Sequence, residues 1–166
     1  QGFDVLFHCA EGCINRSSSE IADLYALEAI RLVGQYLPLA VADGSNIEAR
    51  EKMSLANLYA GFVQCLTNST SAHAMEQAMS ARHPKLAHGA GLIMIGEAYY
   101  SYLARVGACS GPLIQMAKAL GDARAKSPLA FARQLHKLME ECNVADLKMS
   151  DYGIEKKNLR SYVKVG

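Results

Sequence analysis

The sequence predicts an all-α protein, a helical bundle in one piece, and three observations predict it. Apolar residues recur at helical spacing along most of the chain, with capping residues and breaks between one stripe and the next. No segment alternates apolar and polar residues as a half-buried strand would. Aromatic residues make up only 7% of the chain and Trp is absent, while Ala, Leu and Met are plentiful, a balance that favours helix over sheet. The 166 residues fit one domain, and a hydrophobic content of 51% supplies a sizeable core.

The elements follow in order. On a helix running from Gly2, Asp4 and His8 sit about 40° apart on one face, and Cys9 and Cys13 read as small core residues. Ser17 and Glu20 have capping-box spacing, the hydroxyl satisfying a free amide and the carboxylate reaching back. Ala22, Ala26, Ala29, Val33 and Leu37 then repeat at intervals of four, three, four and four. Pro38 kinks or ends that helix, and Asp43-Gly44 breaks it. Ser45 and Glu48 repeat the capping spacing, and Leu55, Tyr59, Phe62 and Leu66 mark the apolar face of a second amphipathic helix.

The polar run Thr67-Asn68-Ser69-Thr70-Ser71 is a break, followed by a helix to about Ala81. Arg82-His83-Pro84-Lys85 reads as a loop with His83 in solvent, because a proline pushes the preceding residue away from helical angles. From Gly89 to about Tyr102 nearly every residue is apolar, as in a helix buried on most sides. So apolar a run also predicts an exposed face that favours self-association, and hence a homo-oligomer. Ser127-Pro128 is an N-cap with proline at the first helical position. Phe131, Leu135, Leu138 and Cys142 form the last stripe, with His136 at its boundary.

Charge and cysteine usage exclude several classes of partner. Lys plus Arg number 17 against 16 for Asp plus Glu, so a net charge of +1 leaves no electrostatic footprint for nucleic acid or an anionic membrane. No apolar run approaches a membrane span. Five cysteines without a C-x-x-C pair predict free thiols in a reducing compartment, and so a cytoplasmic protein. The chain opens on Gln1 rather than Met and closes on Val163-Lys164-Val165-Gly166 without a helix stop signal, so it is expected to be a piece of something longer.

Asp4, His8, His73 and His88 offer one carboxylate oxygen and three imidazole nitrogens. That set suits iron, zinc or manganese and does not suit calcium. Glu76, three residues after His73, invites a di-iron reading, but the paired Glu-x-x-His units that it needs do not occur. Gly89-Ala90-Gly91 with Gly96 is not a dinucleotide fingerprint, since it follows no strand and its spacing is wrong. Glu11 reads either as a partner of the metal site or as a charge on the helix face.

The stretch Gly2-Phe3-Asp4-Val5-Leu6-Phe7-His8-Cys9-Ala10-Glu11-Gly12 resembles the Asp-x-x-x-His-x-x-Glu helix of the iron-containing alcohol dehydrogenases. His73-Ala74-Met75-Glu76-Gln77-Ala78, followed by Ala87-His88-Gly89, is similar to the second signature of that family. Intervening text such as Glu48-Ala49-Arg50-Glu51-Lys52-Met53 resembles it too. The resemblance implies that residues 1–166 form the family's C-terminal helical domain, a dehydroquinate synthase-like bundle, with its N-terminal nucleotide-binding domain absent from this chain. It implies Asp4, His8, His73 and His88 as ligands of Fe2+ (or Zn2+ or Mn2+). It also implies NAD(P) held through the other domain, and a small alcohol, aldehyde or ketone as substrate. Gln77 stands where the family often has a second histidine near the nicotinamide. As a cofactor-binding residue it can hydrogen-bond but cannot relay a proton. Ala87 stands where proline is common, and no catalytic residue is assigned. The alternative is a non-catalytic helical module that binds a metal or a partner.

Overall fold

The computed structural model describes residues 1–159, and the helices found among them are α1 (Gly2–Ile14), α2 (Glu20–Ala42), α3 (Ile47–Leu66), α4 (Ser71–Ser80), α5 (His88–Val106), α6 (Ser110–Ala119) and α7 (Leu129–Glu141). Short 3-10 turns follow at Met149–Tyr152 and Lys156–Asn158, and no strand occurs among the described residues. The all-α bundle is the architecture expected. The Val163–Gly166 end lies outside the described residues.

Helix α1 is the axis of the bundle. Phe3, Val5, Leu6, Phe7, Cys9, Ala10 and Cys13 are all buried, because α2, α3, α4, α5 and α6 pack around it. Phe7 meets Tyr100 of α5 with ring centroids 5.7 Å apart, and Tyr100 meets Phe131 of α7 edge-on at 4.8 Å. Gly96 permits this approach, since a methyl group there would fall 2.4 Å from Phe7 Cζ. The five cysteines are unpaired, and burial pushes the Cys9 thiol up to about 12, as suits a core residue.

Several expectations are corrected in detail. Ser19, not Ser17, caps α2 by accepting from the Ala22 amide at 3.2 Å, and Asn46, not Ser45, caps α3 by accepting from Ala49 at 3.0 Å. Helix α2 continues through Pro38 to Ala42. The buried face of α3 is Ala49, Ala56, Ala60 and Val63, while Phe62 and Leu66 are exposed and Leu55 and Tyr59 half-buried. Small residues let α3 lie close on α2 and α1, and the large side chains flank that contact. Phe62 instead rests on Tyr25, at 5.2 Å. The run from Gly89 to Tyr102 turns Leu92, Ile93, Gly96 and Tyr100 into this chain's own core, so its apolarity needs no second copy. Tyr102 at the end of that run is exposed, and most of the other exposed large apolar residues lie on α2 and α3, Ile21, Leu24, Leu58 and Phe62 among them, with Leu24 72% exposed. His83 is half-buried rather than in solvent. Helix α6 was not anticipated, because Gly111 and Pro112 stand in its first turn and only Leu113, Met116 and Ala117 of it are buried.

Candidate metal centre

Three elements converge along one face of α1. That helix presents Asp4, His8 and Glu11 at intervals of four and three, one stripe along its length. Helix α4 presents His73 and Glu76, and α5 begins at His88. The loop between α4 and α5 is pinned by Leu86, buried with Met79 and Ile154 in a small separate core, and this anchors the segment that delivers His88.

Asp4 Oδ1 lies 3.3 Å from His73 Nε2 and 3.3 Å from His88 Nε2. The ligand atoms of Asp4, His73 and His88 all lie within 4.8 Å of one another. His8 stands beside this trio. Its Nδ1 turns back on its own helix, 2.9 Å from the Asp4 carbonyl and 3.0 Å from Asp4 Oδ1, and its ring lies 4.1 Å from that of His73. Gln77 is exposed on α4, one turn after His73. An open cavity of about 550 Å³ borders Asp4, with Leu37 and Val41 of α2 on one wall and Arg50, Met53 and Asn57 of α3 on the other.

Behind the trio stand two fully buried carboxylates. Glu11 Oε2 accepts from His73 Nδ1 at 2.7 Å and from the Thr70 amide at 2.7 Å, while Oε1 accepts from the amides of Ala72 at 2.7 Å and His73 at 3.2 Å. One side chain therefore caps the N-terminus of α4 from another helix and orients a histidine on it. Glu76 Oε2 accepts from His88 Nδ1, and its Oε1 is buried with no hydrogen-bond partner among the described residues. Enclosing a polar atom unpaired costs about 1–3 kcal/mol. Sequence reasoning left Glu11 undecided and weighed Glu76 only as a ligand. The only sequence signal was their spacing of three from His8 and His73, which places each acid on a histidine-bearing helix face without naming the histidine, on another helix, that it binds.

These donors fit a divalent cation. With Nδ1 of His73 and of His88 bound to carboxylates, both imidazoles aim Nε2 at one Asp4 oxygen. Lone pairs facing a carboxylate call for a proton or a cation between them. The 3.3 Å spacings are close to the about 3.4 Å edge of a tetrahedron of ligands at zinc or iron distances. In the metal-free chain a proton serves at His73. Burial lowers that imidazole's pKa, but hydrogen bonds to Asp4 and Glu11 outweigh it and carry the value up to about 9. Burial raises both acids, yet the bonds from His73 with those from His8 to Asp4 and from Thr70 to Glu11 hold them below the usual carboxylate range.

The sign of the pH dependence follows. His73 contributes stability that is complete below its ordinary value of 6.5 and is lost as pH rises through about 9. Asp4 and Glu11 contribute stability present above their ordinary values of 3.8 and 4.5 and lost as pH falls. Melting of the metal-free chain is expected to be highest between about pH 5 and 6.5. An ion must displace the His73 proton, so uptake is expected to tighten as pH rises from 6.5 to about 9 and to release a proton. Binding isotherms flat across that range would count against His73 as a ligand.

Comparison with known proteins finds likeness along the whole chain. The sequence profile described as "Fe-containing alcohol dehydrogenase family, C-terminal" matches residues 1–166. A long-chain primary alcohol dehydrogenase of Thermoanaerobacter ethanolicus is 33% identical over 98% of this chain and 41% of its own length. An NAD-dependent methanol dehydrogenase of Bacillus methanolicus is 42% identical over 60 residues, 36% of this chain and 16% of that protein. Among solved structures, an archaeal halo-thermophilic alcohol dehydrogenase from a Red Sea brine pool superposes with a TM-score of 0.92 at 27% identity, covering 98% of this chain and 42% of that one. The chain thus spans less than half the length of the relatives it matches.

Proposed function

The chain belongs to the iron-containing alcohol dehydrogenase family, whose C-terminal part it matches throughout, and from that premise we propose that it is the helical metal-binding domain of an iron-dependent, NAD(P)-linked alcohol dehydrogenase. The observation that carries the reading is the trio of Asp4, His73 and His88, with ligand atoms within 4.8 Å and each histidine's outer nitrogen on a buried carboxylate. Asp4, His73 and His88 hold the ion, with His8 as the fourth donor from the turn beside it. Fe2+ is the ion favoured by the family's name, with Zn2+ and Mn2+ compatible with the same donors.

A divalent ion held there supplies Lewis acidity toward an alcohol or carbonyl oxygen. The chain's own residues do the rest of the local work. Asp4 brings negative charge to the ion, Glu11 and Glu76 keep the Nδ1 protons of His73 and His88, and the cavity beside Asp4 admits a small alcohol, aldehyde or ketone. Gln77, exposed beside the site, hydrogen-bonds the nicotinamide cofactor, which a nucleotide-binding domain outside residues 1–166 holds. The whole protein works as a cytoplasmic homo-oligomer. Unpaired cysteines support the compartment, and the apolar side chains exposed on α2 and α3 support self-association.

Hydride transfer needs the nicotinamide carbon within about 3–3.5 Å of the reacting carbon, and that positioning supplies much of the rate. No strand, glycine turn and helix that could seat a pyrophosphate occurs among the described residues. The 166-residue chain loaded with Fe2+ is therefore expected to reduce neither NAD nor NADP with short alcohols. Supplying a family nucleotide-binding domain is expected to restore turnover. Turnover by the chain alone, above a metal-free control, would overturn this division of labour.

A further inference from the structure

Glu76 is fully buried, and one of its oxygens makes no hydrogen bond among the described residues, so the fold gains little from its charge. Gly91 stands in the interior of α5, where glycine is a poor choice for helix stability. The two meet: a methyl group at position 91 would fall 2.6 Å from Glu76 Cγ and 2.8 Å from Oε1. We infer that Glu76 is a positioning residue that locks His88 for the metal, and that Gly91 is its steric counterpart, so that the two positions form one functional unit. The inference rests on the reading that Asp4, His73 and His88 hold an ion.

The geometry runs from α4 to α5. Glu76 extends between His88 and Gly91, which lie about one turn apart on α5, and places Oε2 on His88 Nδ1. With Nδ1 engaged by Glu76, Nε2 is the ring nitrogen that faces Asp4 Oδ1, 3.3 Å away. His88 needs this support more than His73 does. It is the first residue of its helix, its side chain is 38% exposed, and the residue before it provides no side-chain cap. A methyl group at position 91 would press on that carboxylate first, its three nearest atoms all belonging to Glu76.

The test is a two-site cycle in the full chain: parent, Glu76→Ala, Gly91→Ala and the double variant, with Glu76→Gln beside them. Co2+ and Zn2+ affinities are read by competition with a chelator, Co2+ absorption reports coordination, and thermal melts without metal report the fold. Glu76→Ala is expected to weaken binding about 10–100-fold, and Gly91→Ala to weaken it comparably although every ligand is intact. In the double variant the new methyl occupies space that the carboxylate vacated. Its metal-free melting is expected to recover to that of the parent, while affinity stays no better than in either single variant, the non-additivity of one unit. Glu76→Gln keeps an acceptor but not the charge, so it is expected to melt no lower than the parent and to bind with intermediate affinity. If Glu76→Ala fails to fold, Gly91→Ala and Glu76→Gln carry the same comparison.

Parent-like affinity in Gly91→Ala, or affinity restored together with melting in the double variant, overturns the inference and leaves the metal site standing. A parent chain that takes up neither Co2+ nor Zn2+ overturns the metal reading itself, and the inference with it.

Discussion

Replacing His88 by alanine is expected to abolish tight metal binding while the chain remains helical. His88 provides one of the three convergent donors, with Nε2 3.3 Å from Asp4 Oδ1. Loss of an outer partner of a metal ligand already costs about 10–100-fold in affinity, so loss of the ligand itself is expected to exceed that range. The fold should survive because the His88 side chain is 38% exposed and packs at the rim of the bundle, outside the core around Phe7 and Tyr100. Some stability is lost all the same, since Glu76 Oε2 is left buried without its partner. Metal content after gel filtration, paired with circular dichroism, decides the matter. Metal stoichiometry equal to that of the parent would remove His88 from the site.

The second large effect is expected at Glu11, where alanine should bring the chain close to unfolding. Glu11 is completely buried and holds three backbone amides, those of Thr70, Ala72 and His73, together with His73 Nδ1. Helix α4 has only 10 residues, and its own N-cap, Thr70, makes no side-chain cap hydrogen bond. So short a helix does not stand alone in water. Breaking a buried charge pair costs about 3–5 kcal/mol, and a domain of this kind has about 5–15 kcal/mol in all. The melting temperature is expected to fall steeply, and amide exchange at residues 70–73 to accelerate before exchange elsewhere. Glutamine at position 11 keeps both acceptor sites only in part and should fall between alanine and the parent. Unchanged protection at Ala72 and His73 in the alanine variant would show that α4 has another anchor.

The division of labour between sequence and tertiary structure is visible at particular residues. Ala22, Ala26, Ala29, Val33 and Leu37 were readable as the buried face of α2, because the 3.6-residue period is a property of one helix and is written locally. The same holds for Phe131, Leu135, Leu138 and Cys142 along α7. Stripe reading failed on α3, where Leu55, Tyr59, Phe62 and Leu66 have helical spacing too. There the choice of inner face depends on how near α1 and α2 come, and close approach selects Ala49, Ala56 and Ala60 over larger residues. The caps slipped by one or two residues for a related reason: several serines and asparagines in a row can each accept an amide, and only the path of the backbone selects Ser19 or Asn46.

At the site, the sequence by itself determined which donors are available. Asp4 and His8 lie one turn apart on one helix, and the chemistry of a carboxylate and imidazoles already points to a borderline divalent ion. Which acid serves which histidine was decided by tertiary structure alone. Glu11 reaches a histidine 62 residues away and Glu76 one 12 residues away, and both pairs exist only because α1, α4 and α5 pack on one another. Local spacing states that a side chain lies on a helix face. Whether that face meets solvent, core or another helix's charge is set by packing, which is why the spacing of Glu76 from His73 suggested a ligand until the glycine opposite it and the histidine beside it stood in one place.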